Sequence, residues 1–159
     1  MSYNRVNDRD ETEPERLDRQ LMELLNEVRV AIPGVQVLFA FLLTVPFTAA
    51  WDRTTGLQQD VYFATLLATA VATALLMAPS AVHRLLFQQG DKHYIVTLAN
   101  RVTVVGLGVL ALSVTGAVFL VSDVLFDITG AAIAAGCIFG FTVGLWYVLP
   151  LSRRFRRDV

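Results

Sequence analysis

Four long runs of uncharged, mostly apolar residues restrict what this chain can fold into more than any other feature of its sequence. They cover residues 32–50, 61–82, 102–122 and 128–152, and none contains Asp, Glu, Lys or Arg. A helix needs about 20 residues to cross the roughly 30 Å hydrocarbon core of a bilayer. The runs therefore predict four transmembrane helices, since a spanning helix satisfies its own backbone polar groups.

The pattern inside the runs disfavours two other architectures. Strands of a transmembrane barrel are about 10 residues long and alternate between polar and apolar residues, whereas these runs are longer and do not alternate. Helices of a small soluble bundle would each carry a polar face, which these runs lack. The predicted fold is all-α, a four-helix transmembrane bundle preceded by an N-terminal amphipathic cytoplasmic helix.

Charged segments divide the chain into four parts. Residues 1–12 predict a disordered tail, 13–29 an amphipathic interfacial helix, 30–152 the transmembrane domain, and 153–159 a basic cytoplasmic tail. The spans themselves are expected at about 32–50, 61–82, 102–122 and 129–151.

The segment before the first run has the pattern of a helix with one apolar stripe. Thr12 and Glu15 stand at the spacing of a capping box, and Pro14 suits the first turn. Leucines at helical spacing follow and form the stripe. Because proline removes a backbone donor and clashes with the preceding turn, we expect a break or bend at Pro33-Gly34 before the first span.

The positive charges predict how the chain is oriented. Twelve of the 13 Lys and Arg residues precede the first run, lie between the second and third, or follow the fourth, and only Arg53 lies in a connection on the other side. Lys and Arg near membrane spans are retained in the cytoplasm. We therefore expect a multi-pass protein of the plasma (inner) membrane with both termini in the cytoplasm.

The fourth run carries small residues every four positions, which defines a glycine face. Its members are Ala132, Gly136, Gly140 and Gly144. Small residues let another helix approach closely in lipid. The interpretation favoured by the pattern is a contact within the bundle, because a four-helix protein needs such faces in any case. A subunit interface is the alternative.

Polar residues near the inner ends of the spans form a second candidate site. In one interpretation, Arg101 simply extends to the cytoplasmic headgroups. In the other, glutamates of the first helix pair with arginines of the second and third in a cytoplasmic polar cluster. The predicted cluster consists of Glu23, Glu27, His83, Arg84, Asn100 and Arg101.

Other chemistry has little support in the sequence. His83 and His93 have no further His nearby and one distant Cys, so no metal site is expected. Phosphate loops, nucleophile elbows and nucleic-acid motifs are missing, so we expect no enzyme, no cofactor and no nucleic-acid partner. No Asp or Glu lies in the four runs, which disfavours proton-coupled antiport. Thr65, Thr69 and Thr73 share a face, but threonines at this spacing more often bond to their own helix.

Several segments carry a resemblance to a known family. They are ERLDR at 15–19, ELLNEVRV at 23–30, GVQVLFAFLLT at 34–44, and Ala78-Pro79 followed by His83-Arg84 and Phe87. Together they resemble an uncharacterised family of small bacterial four-span membrane proteins. The resemblance implies the fold and topology over nearly the whole chain and carries no established active site. Some members are labelled as sodium/proton antiporters.

The leading functional hypothesis is a non-enzymatic membrane module. It would contact the lipid bilayer and pack with itself, as a homo-oligomer, or with a membrane-protein partner through small-residue faces. The alternative is a small oligomeric ion or solute transporter or channel, for example a cation/proton antiporter.

Overall fold

Four long helices make up the part of the chain that the computed structural model describes, residues 12–86, 92–150 and 152. The tails predicted at 1–12 and 153–159 lie almost wholly outside these residues. The helices are α1 (Glu13–Thr44), α2 (Gly56–Leu86), α3 (Lys92–Leu125) and α4 (Ile128–Val143). A π-helical segment, Gly144–Val148, continues α4, and two short 3₁₀ turns, Val45–Phe47 and Trp51–Arg53, join α1 to α2.

All four helices are long and apolar enough to cross a membrane. The prediction of an all-helical fold with four helices able to span a membrane is therefore confirmed, and these helices indicate a multi-pass membrane protein. The helices run alternately up and down, so α2 ends and α3 begins at one end of the bundle. We call this end, which carries Arg84 and Arg101, the basic end.

Helix α3 is the centre of the architecture, because it contacts each of the other three helices. Its largest contact is with α2, and α1 packs across both. In the described ranges α4 contacts only α3 and makes no contact with α1 or α2. The structure is thus a three-helix core of α1, α2 and α3 with α4 attached to one side.

The prediction of a separate amphipathic helix at 13–29 is wrong. A single 32-residue helix runs from Glu13 to Thr44 and includes Pro33, where a break or bend was expected. The capping box itself is present, since the Glu15 carboxylate accepts hydrogen bonds from the Thr12 backbone N–H at 2.9 Å and from its hydroxyl at 2.7 Å. The predicted apolar stripe is present, but it is only the first half of a stripe that continues to Leu42.

A seven-residue repeat explains why α1 continues past its proline. The buried residues Leu21, Val28, Val35 and Leu42 recur every seven positions along the whole helix. This spacing keeps one seam of a helix against its neighbours. Val28 and Val35 stand on either side of Pro33 and belong to the same core cluster, while Pro33 itself is exposed. Packing on both sides therefore holds the helix together across one lost backbone hydrogen bond.

The far end of α1 is fixed by a tyrosine from α2. The Leu42 carbonyl stands four residues before Pro46, which has no N–H to offer it. The Tyr62 hydroxyl donates to this carbonyl at 2.9 Å, and the ring packs edge-on against Trp51 with centroids 5.0 Å apart. Tyr62 thus sets the level at which α1 meets α2.

Candidate functional site

Helix α2 packs closely against two glycines of α3. A Cβ at Gly116 would overlap the Thr65 hydroxyl oxygen, and a Cβ at Gly106 would lie 3.1 Å from Leu75 Cβ and 3.2 Å from Leu76 Cδ2. Gly116 has room for hydrogen only, and a methyl group at Gly106 would require its neighbours to shift by a few tenths of an ångström. These glycines therefore allow α2 and α3 to approach closely in a region without charged side chains.

The threonines that could have lined a path along α2 already use their hydroxyl groups in hydrogen bonds. The hydroxyls of Thr65, Thr69 and Thr73 each donate to the carbonyl four residues earlier, at 2.7–2.8 Å. Thr65 and Thr69 are buried. The interpretation that these threonines bond to their own helix is confirmed.

Helix α4 packs on α3 with a different face from the glycine face. Its buried residues are Ala131 and Ala135, one position before the predicted series. Ala132 is exposed, and a Cβ at any of the three glycines would meet nothing within 4 Å in the described part of the chain. The contact within the bundle, which the pattern favoured for Gly136, Gly140 and Gly144, is therefore not present.

A π-helical segment redirects the end of α4 toward α3. The Leu149 amide donates to the carbonyl of Gly144, five residues back, and the Tyr147 hydroxyl donates to the Val104 carbonyl at 2.7 Å. Pro150 has no N–H for the carbonyl of Trp146, so a regular helix could not be completed here. The wider turn accommodates this loss and brings Tyr147 against α3.

The structure separates the residues of the predicted cytoplasmic polar cluster. Glu23 bonds to Arg19 of its own helix, with 3.2 Å between Nη1 and Oε1. Four others are exposed and make no hydrogen bond or ion pair with described residues: Glu27, Arg84, Asn100 and Arg101. The arrangement leaves these side chains available to lipid headgroups, water or another chain.

His83 is the one member of the predicted cluster that is half-buried. It lines a cavity of about 300 Å³ between α1, α2 and α3, together with Asp18. The acidic residue of α1 that shares a site with His83 is thus Asp18, which the sequence pattern did not single out. Apolar side chains complete the lining: Leu17, Leu21, Met22, Ile95 and Val96. Nowhere in residues 12–86 or 92–150 do three His, Cys, Asp or Glu side chains come together.

An open groove separates α1 from α4. It encloses about 680 Å³ along the side of α3 and is lined almost wholly by apolar groups. Ala31, Gly34 and Leu38 of α1 form one wall, and Trp146 lies on the other. A Cβ at Gly34 would meet nothing within 4 Å. The groove therefore has room beside α1 for an apolar group from outside the chain.

A family model matches residues 10–150 of the 159, described as a family of unknown function. The chain belongs to the DUF6328 family. The predicted membership in an uncharacterised family of four-span proteins is thus confirmed. No curated protein and no solved structure matches the chain.

Some residues that shape this DUF6328 protein can also be recognised from features of the sequence. Gly106 and Gly116 are ten positions apart and do not form a four-residue repeat, but small residues in an apolar run are themselves a sign of close helix contact. Gly144 and Pro150 bracket the π-helical segment, and both weaken regular helix. The position of Asp18 on the stripe side of α1 pointed toward the bundle, although its neighbour His83 comes from a distant segment.

Proposed function

We propose that this protein is a non-enzymatic module of the plasma membrane that associates with another transmembrane helix through the glycine face of α4. One observation carries the proposal: Gly136, Gly140 and Gly144 face away from the protein's own bundle. Small residues on an outward face allow a second helix to pack closely in lipid. The helix that packs against α4 would come from a second copy or from another membrane protein.

Two features of α4 support this proposal. The helix contacts only α3, so most of its circumference is open within the described residues. Ala131 and Ala135 already supply its own packing face, which leaves the glycines without a role inside the bundle. Van der Waals packing is a main source of helix association in lipid, where no hydrophobic force acts between apolar helices. A face of small residues is suited to such packing.

The transport alternative receives less support from the geometry. Thr65, Thr69 and Thr73 use their hydroxyls on their own backbone, and the α2–α3 contact is too close to leave a path beside them. Solute flux into vesicles that contain the purified protein would replace the module proposal with the transport alternative.

The association is tested by replacing Gly140 with Leu. We expect the unfolding free energy of the isolated protein to stay unchanged, because a Cβ at this position meets nothing, while the oligomeric mass in nanodiscs falls. The native Cys137 is exposed beside this face, so oxidative crosslinking between copies should fall with it. Leu67→Met, at an exposed position on α2, which makes no contact with α4 among the described residues, is the control and should change neither readout.

A wild-type protein that is monomeric in nanodiscs and that binds no other membrane protein would contradict the proposal. Association in which only one copy of the chain is present would instead identify a different protein as the partner. Native membranes solubilised with lipid retained should then yield that partner in a fixed ratio with the tagged chain.

The proposed orientation places both termini in the cytoplasm. The positive-charge count supports it, since 12 of 13 Lys and Arg residues fall on the side of the termini. In a Cys137→Ser background, a Cys at Ser2 should be protected from a membrane-impermeant thiol reagent in intact cells, whereas a Cys at Thr55, between α1 and α2, should react. Labelling in the reverse pattern would invert the topology.

A further inference from the structure

The uncharged part of α1 begins at a different depth in the bundle from the uncharged parts of α2 and α3. Val28 is 2% exposed and packs in one cluster with Ala72, Leu76 and Leu110. These partners lie inside the uncharged runs of α2 and α3, at 61–82 and 102–122. The uncharged part of α1, however, begins only at Val30. The middle of α1, around Val28, therefore lies beside uncharged, membrane-spanning segments.

This register puts two ionisable residues at membrane depth. Glu27 and Arg29 stand on either side of Val28 and so share its level. Leu76, at that level, precedes the end of its uncharged run at Val82 by six residues, which is about 9 Å along a helix. The four uncharged runs do not reveal these two charges, because the depth of one helix relative to another depends on how the helices pack.

Neither charge is compensated by a residue in the part of the chain that the structure describes. Both side chains are exposed, and neither makes a hydrogen bond or ion pair with any residue that the structure describes. Residues two apart on a helix do not face each other, so Glu27 and Arg29 cannot form a pair on one helix. A charged group facing hydrocarbon is costly and normally finds a partner. A neighbouring copy that presents the opposite charge at the same depth would supply that partner.

The two charges lie on opposite flanks of α1 at one depth. Val28 faces the core, so Glu27 is on one flank and Arg29 on the other, about 200° apart. The flank of Glu27 continues through Ala31 and Gly34, which form a wall of the open groove. Copies in the same membrane share their orientation, so the Glu27 flank of one can meet the Arg29 flank of the next at matched depth.

We propose that α1 of one copy packs against α1 of the next through an ion pair between Glu27 and the neighbour's Arg29. Each copy supplies both halves of the contact, so the interface is head-to-tail and is completed when copies close into a ring. The groove beside Gly34 provides space for the neighbour's apolar side chains. The proposal rests on the association proposed above, names its partner as a second copy, and adds a contact separate from the glycine face.

Charge reversal tests this contact. We expect Glu27→Arg and Arg29→Glu each to lower the association constant in lipid by about tenfold or more, and the double variant E27R/R29E to restore it, because the reversed pair again matches between copies. Asp52→Arg makes the same change in net charge as Glu27→Arg, at the opposite end of the bundle, and should leave association unchanged. Single reversals without effect, or a double variant no better than the singles, would overturn the proposal.

Cysteine crosslinking tests the same geometry without reversing a charge. In a Cys137→Ser background, a mixture of Glu27→Cys and Arg29→Cys copies should form mixed disulfide dimers, whereas either variant alone should not. A disulfide that Glu27→Cys forms equally well alone would rule out the head-to-tail contact. If the wild type is oligomeric but the charge reversals leave its association unchanged and no mixed disulfide forms, the contact between α1 helices is ruled out. The proposed association through α4 is not affected by that result.

Discussion

Substituting Ala for Gly116 should lower the free energy of unfolding by about 1–3 kcal/mol, the usual range for forcing extra atoms into a packed contact. The added Cβ would overlap the Thr65 hydroxyl oxygen and lie 3.2 Å from Thr65 Cβ and Cγ2. The hydroxyl cannot easily rotate away, because it is bonded to the Val61 carbonyl at 2.7 Å. Titration with a denaturing detergent, followed by circular dichroism, measures the change.

The matched control is Gly136→Ala in α4. Its Cβ would meet nothing within 4 Å in the described residues, and Ala favours helix over Gly by up to about 1 kcal/mol. This variant should therefore be as stable as the wild type or slightly more stable when measured on isolated protein in micelles. Thr65→Ala should partly rescue Gly116→Ala, since it removes the oxygen and one methyl group. Equal stability of Gly116→Ala and Gly136→Ala would contradict the close α2–α3 contact.

Those features of the fold that depend on local composition could be predicted from the sequence. The four spans follow from the lengths of the uncharged runs, and the Thr12–Glu15 capping box follows from a four-residue pattern. The self-bonded threonines of α2 were also predictable, because a hydroxyl at membrane depth finds the nearest carbonyl. Each of these requires information from one segment only.

Features that depend on how segments meet could not be predicted in this way. The break expected at Pro33 is overridden by packing of Val28 and Val35 on either side of it. The depth of Glu27 follows from the cluster that its neighbour Val28 shares with Leu76 of α2, so the sequence around Glu27 does not reveal it. The glycine face is regular in the sequence, but whether it points inward depends on which face α3 selects.

In a bilayer, a buried side chain contributes to stability in a different way from a buried side chain in a soluble protein. In a soluble protein, unfolding exposes a core leucine to water, and this transfer supplies much of its contribution to stability. When transmembrane helices separate, a buried side chain moves into lipid tails that are as apolar as the core itself. Only the closeness of packing then differs between the two states. Substitutions in this protein should therefore report on cavities rather than on transfer from water.

Leu76→Ala should lower the unfolding free energy by about 2 kcal/mol, mainly through the cavity it leaves. The Leu76 side chain is fully buried at the junction of α1, α2 and α3, where it packs with Val28 and Leu110. Met77→Ala is the control, because Met77 is 49% exposed and lipid can fill the space it leaves. We expect this control to change stability by less than about 0.5 kcal/mol. Equal losses would show that α1 does not pack at the level of Leu76. The intramembrane depth of Glu27 and Arg29, which depends on this packing, would then be wrong as well.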